Sequence, residues 1–434
     1  MKPEILKNNA EFKLSDYISE KNGALDIYTM TGEFVPMAEH RIMFKSGSFN
    51  DIKPGMAYLT ANMLKRGTNK LSFNDISEKI ENLGGSLSIT VNYDFITLKA
   101  SSLSRYSPEI LEVFYDVISE PAFQKAELDK VKKNTISNIS HIRSNPARQL
   151  RRVFNSIMFE ATAYGHSIYG NEDSISSISV DDIRQFYEDN FLYTDKFLIR
   201  SGRLNGKGSI PANILKGLES KGYEKPGFIK RNNDLYFLNN KNQTQAEILL
   251  GKIVPGRENS DYTAMQIANT ALGGYFLSEL NTSLREERGL TYGIHSYIEH
   301  RKNVSVLMIS ASVNLENLPL VFSEIFRVLE KYGSGNIEDH KLETAANYMT
   351  GSFIRNIDTI FDHANLLANL KLFDLEDDYY DNFIRESIKL DTGKIKQAAK
   401  KYLNTGGWLI GVGAGSIPDG MPEIINSIQE TEEV

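Results

Sequence analysis

Cysteine is missing from all 434 residues. Its absence excludes disulfides, thiolate metal sites and a cysteine nucleophile together. It leaves the compartment open, since disulfide-free proteins serve in the cytosol and the periplasm alike. Positive charge is also scarce: 49 Lys and Arg stand against 56 Asp and Glu, a net charge of -7. Such a balance offers no basic field for nucleic acid or an anionic membrane. No window approaches the roughly 18 apolar residues of a membrane-spanning helix. The start, Met1-Lys-Pro-Glu-Ile-Leu-Lys-Asn-Asn, carries no apolar stretch of a signal peptide. A soluble, cytoplasmic protein is expected, or a periplasmic one if a leader has been removed. What remains is 41% hydrophobic and 24% charged, the composition of a folded globular protein. The length exceeds one ordinary core, so two or more domains are expected.

Laid on itself at an offset of about 210 residues, the sequence repeats. Ile183 to Ile199 aligns with Ile395 to Gly411, each reading as a helix, a polar turn and a short apolar strand. Upstream, Ile110, Leu111, Phe114, Val117 and Ile118 share a helical face, as do Leu318, Val321, Phe322, Ile325 and Leu329. A strand-like run precedes each helix, Phe95 to Ser101 and Val304 to Val313. In Ser86 to Ala100, Leu87, Ile89 and Val91 alternate with polar residues, as in a half-buried strand. Short turns and long helical stretches both join the strands, which favours an α+β fold with mostly antiparallel sheets. The expected organisation is two tandem homologous domains, 1–202 and 234–434, of about 200 residues each. Between them, 203–233 is rich in Gly, Lys, Asn and Pro and reads as a linker, with a weak helical piece near Ile214 to Leu218.

Two segments carry chemical interest. In Gly55-Met-Ala-Tyr58-Leu-Thr-Ala61-Asn62-Met-Leu-Lys-Arg-Gly-Thr68, positions 58, 61 and 62 fall within one helical turn and share a face. A zinc helix of the inverted type places His, Glu and His at this spacing, two metal ligands and a base for the attacking water. Neither Ala61 nor a neutral Asn62 replaces a carboxylate base and an imidazole. The second segment is Gly273-Gly-Tyr-Phe276 followed by Leu284-Arg285-Glu-Glu-Arg288-Gly289-Leu290-Thr-Tyr292.

Both segments resemble the pitrilysin-type, or insulinase-type, zinc peptidases, the family of the mitochondrial processing peptidases. The frame Gly55-x-Ala57 to Met63-Leu64-x-x-Gly67-Thr68 matches its zinc helix, and Tyr164-Gly165-His166-x-x-x-Gly170 matches a turn after the long helices of its first half. The match runs from about residue 30 to 415 and implies the processing-peptidase-like metallohydrolase fold. A later glutamate completes the family's zinc site; the matching position falls at or beside Asn138. Tyr58, Ala61, Asn62 and Asn138 therefore replace every ligand and the base, and no metal site is expected in this chain. In the family an Arg and a Tyr reach from the C-terminal domain to bind the substrate backbone and the oxyanion. Carried over, these are Arg285 and Tyr292. The resemblance thus implies the zinc-free subunit of a two-chain peptidase, inactive alone. A homologous partner with His-x-x-Glu-His intact would bring zinc and the base, and peptides would be cut in an enclosed chamber. The alternative is a scaffold or peptide-binding protein of the same family. Independent chemistry in a homodimer lacks a nucleophile–base constellation.

Taken alone, Arg285 in its charged run reads as a solvated helix face and Tyr292 as half-buried packing. The surrounding pattern reverses that reading. Arg288 reads as a helix C-terminal charge. Gly289 is placed to end the helix of Arg285 and turn the chain toward Tyr292. Gly273-Gly274 reads as a close-packing device, since no Gly-Lys-Ser/Thr follows it. His295 and His300, five apart, read as surface histidines, because that spacing sends them to different sides of a helix or strand. One departure, Ile199-Arg-Ser-Gly202, stands where the family reads apolar residues before Gly-Asp; no function attaches to it.

Overall fold

Each half of the chain builds one sheet. A computed structural model describes residues 12–32, 34–160, 162–206, 209–217, 234–239 and 243–416. The first sheet holds β1 (Ile18–Asn22), β2 (Leu25–Thr31), β3 (Met37–Phe44), β4 (Ser86–Val91), β5 (Ile96–Leu103) and β6 (Lys196–Gly202). Their order is β1-β2-β6-β3-β5-β4. The second holds β7 (Asp234–Asn239), β8 (Gln245–Val254), β9 (Thr291–His300), β10 (Ser305–Asn314) and β11 (Leu409–Ala414), in the order β7-β11-β8-β10-β9. Leaving out β1, the two orders correspond strand for strand. One pairing in each is parallel, β2 with β6 and β7 with β11. The rest are antiparallel. The duplicated α+β architecture expected from the sequence is present.

The helices of the first half are α1 (Met56–Leu64), α2 (Phe73–Asn82), α3 (Ser107–Ser119), α4 (Lys125–Ser144), α5 (Pro146–Met158), α6 (Glu172–Ser177) and α7 (Val180–Tyr187). Those of the second are α8 (Tyr262–Asn269), α9 (Glu279–Asn281), α10 (Leu318–Gly333), α11 (Asp339–Arg355), α12 (Ile360–Leu372), α13 (Tyr379–Lys389) and α14 (Thr392–Tyr402). The apolar faces of α3 and α10 predicted by spacing are buried, α3 in the first core and α10 in the second. Leu87, Ile89 and Val91 of β4 turn toward the first core while their neighbours face water.

The halves also exchange helices. From α5, Leu150, Phe154 and Met158 pack not on their own sheet but on Leu249, Met308 and Leu409 of the second. From α12, Ala364, Leu367 and Ala368 cover Met30, Met43, Phe197 and Ile199 of the first. Each sheet therefore lies between its own helices and one borrowed helix.

Residues 209–217 of the linker fold against the first half. Ile214 is buried in its core. Asn213 Nδ2 donates to Ser119 O at 2.7 Å, and Lys196 Nζ donates to Lys216 O at 2.5 Å. Residues 212–215 form a turn rather than a helix. Leu218 and the rest of the linker to 233 lie outside the described residues. Among those described, no helix is long and apolar enough to cross a membrane.

Candidate functional site

The first half presents the site on α1. Asp51 caps this helix, accepting from Gly55 N at 2.8 Å and Ala57 N at 2.7 Å. Burial raises its carboxyl pKa, and hydrogen bonds from His166 and those two backbone groups pull it part of the way back. His166 Nε2, from the turn the family pattern marks, lies 3.4 Å from Asp51. Met56, Leu59, Met63 and Leu64 sink into the core, and Ala61 goes with them. Tyr58 and Asn62, one turn apart, remain half-buried on a common face. Asn62 Nδ2 donates to Tyr58 O at 2.8 Å, and the rings of Tyr58 and Tyr169 meet edge to face at 4.9 Å. Burial raises the Tyr58 phenol pKa, reinforced by Tyr169; the side-chain amides of Asn138, from α4, and Asn62 hydrogen-bond it and oppose the shift. Tyr58, Asn62 and Asn138 are thus brought together.

Zinc requires imidazole, thiolate or carboxylate ligands. A phenol, a buried methyl and two carboxamides do not fit it, and no catalytic step is derived through a metal held here. Among the described residues no group of three His, Cys, Asp or Glu is arranged to hold a metal ion.

The second half presents its candidates on the chain between α9 and β9. After α9 the backbone widens into a π-helical turn, Thr282–Glu286, which carries Arg285. Gly289 ends it at φ +62, a conformation costly for other residues, and Leu290 N closes the turn onto Leu284 O at 2.8 Å. This is the helix stop expected at that glycine. The chain then enters β9, where the pairing with β10 slips between Thr291 and Ile294. That bulge turns Tyr292 outward, and it is 85% exposed. Arg285 is exposed too, its guanidinium 4.8 Å above the ring of Phe276 and its Nε 3.6 Å from Glu286. No hydrogen bond or ring contact joins Arg285 to Tyr292, or either to the Tyr58 group, among the described residues. Tyr292 lines an open groove of about 500 Å³ between α5 and strands β8 to β10, with Ala147, Arg151, Glu247, His295 and Tyr297.

Gly273 performs the packing role expected of it. A side chain there would meet Ser296 Cβ at 2.6 Å, so the glycine lets the preceding π-helical turn press onto β9. Arg288, just past the end of the turn that carries Arg285, pairs with buried Glu324 at 3.2 Å. Sequence reasoning passed over Asn281, which pins the Arg285 segment to β9. Its Nδ2 donates to Ile294 O at 2.8 Å and to Tyr275 O at 3.2 Å. The available signal was a polar residue set between Leu280 and Leu284, at a spacing that buries all three. His295 is exposed in the groove, whereas His300, read as a surface residue, faces inward. Strand alternation over an odd spacing of five positions separates the two.

Comparison with known proteins now bears on the chain. Residues 28–172 match the insulinase family profile (peptidase family M16), and residues 177–349 match the peptidase M16 inactive domain. The protein belongs to peptidase family M16. An uncharacterised zinc protease of Streptomyces coelicolor is 23% identical over 77% of this chain and 76% of its own length. A Helicobacter pylori protein described as the non-peptidase homolog YmxG is 22% identical over 85% of this chain and 87% of its own length. Among solved structures, a peptidase M16 inactive domain from Pseudomonas fluorescens superposes with a TM-score of 0.84 at 22% identity, covering 93% of this chain and 98% of that one. A protease of Helicobacter pylori follows at 0.79 and 19% identity, covering 92% and 100%. This M16 chain therefore has relatives described as proteases and one described as a non-peptidase.

Proposed function

We propose that this M16 chain is the zinc-free subunit of a two-chain zinc peptidase, with Arg285 and Tyr292 as its contribution to the shared active site. The observation that carries the reading is an asymmetry. The helix face where the family's ligands belong is closed by Tyr58, Asn62 and Asn138, while Arg285 and Tyr292 stand exposed with donors to spare. A guanidinium donates in a fixed plane at every working pH, and a phenol adds one directional donor. Aimed at a developing oxyanion, each such donor lowers the barrier by roughly 3 kcal/mol. The zinc, the base and the attacking water would come from a homologous partner with His-x-x-Glu-His intact. Peptide substrates would be held between the two chains.

The test is reconstitution. Alone, the purified chain should neither retain zinc stoichiometrically nor cleave peptides. Mixed with a zinc-motif partner, it should yield chelator-sensitive cleavage. In that mixture Arg285→Ala or Tyr292→Phe should lower kcat by about 10²-fold with a smaller change in KM, as expected for groups engaged in the transition state. Metal-dependent activity from the single chain would refute the proposal. The second reading, a catalytically silent scaffold, is favoured by the description of the Helicobacter pylori relative as a non-peptidase homolog. Full activity of the reconstituted variants would select it.

A further inference from the structure

The departure at Ile199-Arg-Ser-Gly202 places a guanidinium inside the first domain. Arg200 is 3% exposed, and among the described residues its guanidinium makes one hydrogen bond, from Nη2 to Tyr115 Oη at 3.2 Å. No described carboxylate pairs with it. Its cross-strand neighbours in register are Thr29 on β2 and His40 on β3. All three lie on the face of the sheet that carries Ile27, Leu198 and Ile42 into the first core. Thr29 Oγ1, Arg200 Nε and His40 Nδ1 are each buried without a hydrogen-bond partner among the described residues. A fourth such atom, Ser104 Oγ, sits in the turn leading into α3. The first residue of α3, Ser107, meets His40 Nε2 at 2.8 Å through its hydroxyl. Glu39, adjacent in sequence, points to the opposite face, where it pairs with Arg41 and Lys99.

The charge of this cluster decides what it lacks. Burial and Arg200 hold the His40 imidazole down at a pKa of about 3, so it is neutral and adds no charge of its own. One unpaired buried guanidinium remains, and leaving it so costs several kcal/mol. The unmatched atoms on Arg200, Thr29 and Ser104 can all donate. His40 Nδ1 joins them when Nε2 accepts from Ser107. Ordered water would satisfy some of these donors but would not offset the charge. Helix α3 runs along the cluster, meeting His40 at Ser107 and Arg200 at Tyr115.

We propose that Arg200, His40, Thr29 and the turn before α3 enclose a binding site for one small monovalent anion of halide size. The site stands apart from Arg285 and Tyr292 and does not depend on the function proposed for them. Bromide is the probe. Crystals of the full chain grown in bromide should show an anomalous peak within hydrogen-bonding reach of Arg200 Nε. At fixed pH and ionic strength, the melting temperature should be higher in chloride than in gluconate by about 2 °C, since a ligand bound only by the folded chain stabilises it. Arg200→Gln should abolish that difference. Should it fail to fold, Thr29→Val, which keeps the shape and removes one donor, should reduce the difference by half or more. Equal melting in the two salts overturns the proposal, whether the site then shows water alone or a bromide peak at high concentration, an adventitious ion only.

Discussion

His300 shows how little a residue's type says about its charge. Its Nε2 meets Tyr262 Oη at 2.9 Å and its Nδ1 meets Ser305 Oγ at 2.9 Å, both hydroxyls able to donate or accept. Burial, helped by the Arg257 guanidinium, lowers its pKa from 6.5 to about 3. In the unfolded chain the ring takes up a proton near pH 6.5, while the folded chain refuses it until about pH 3. Between those values the unfolded state binds more protons, so stability falls as the pH is lowered through this window. His40 is held down to the same extent and adds to the same slope. We expect His300→Gln, which can keep the hydrogen bonds, to reduce the pH dependence of unfolding between pH 6.5 and 3 by up to one proton. Urea denaturation across that range measures it; an unchanged slope would mean that His300 titrates normally in the folded protein. That the two histidines of β9 lie on different faces was legible in their spacing, although both read as surface residues. Which of the two faced the core was not, because that depends on the partner layer.

At the scale of elements, the sequence was most legible where one period repeats. The twofold alternation of β4 and the apolar faces of α3 and α10 appear where their spacing puts them. The equivalence of the sheets was legible in outline from Ile183 to Ile199 against Ile395 to Gly411, the segments that become α7 with β6 and α14 with β11. Periodicity tells which face of a helix is buried and not what covers it, so the exchange of α5 and α12 was hidden. The candidate site divides likewise: Arg285 and Tyr292 were legible through a family pattern, whereas the π-helical turn and Asn281 that set their direction were not. The exchange has a testable core. Phe154 of α5 lies against β8, where a Cβ added at Gly251 would stand 2.6 Å from its ring. Phe154→Ala should cost about 3–5 kcal/mol and Gly251→Val about 1–3 kcal/mol, the first by cavity and the second by overpacking. Combined, the new valine fills part of the space the ring leaves. The double variant should therefore be more stable than the sum of the singles predicts, in a denaturant cycle. Strict additivity would show that α5 does not rest on Gly251.

On the scale of the whole molecule, equivalent hairpin turns of the two domains meet. The turn between β9 and β10 sends Arg301, 6% exposed, into an aromatic box built by the first half, 4.2 Å from the ring of Tyr93 and 4.0 Å from that of Phe159. Its Nη1 donates to Tyr164 O at 3.2 Å. Next to it, Lys302 N donates to Asp94 Oδ2 at 2.9 Å, and Asp94 in turn accepts from the Tyr164 hydroxyl. Tyr93 and Asp94 belong to the turn between β4 and β5, so the contact joins like to like across the duplication. Burial lowers the Arg301 pKa to about 10, which still leaves it charged at neutral pH, as attraction to the ring faces requires. Arg301→Met keeps an apolar stem in the box and removes the charge, with its pairing to Glu299 at 3.4 Å, and the hydrogen bond to Tyr164 O. Its cost should be about 2 kcal/mol from those two losses together. Two independent domains joined by this contact alone would then melt separately. The exchanged helices argue otherwise: unfolding the first half withdraws α5 from the second sheet, and unfolding the second withdraws α12 from the first. Calorimetry of Arg301→Met should therefore show one transition lowered by a few degrees, because each half completes the other's core. Two resolved transitions would mean that the borrowed helices detach without cost and that Arg301 alone couples the domains.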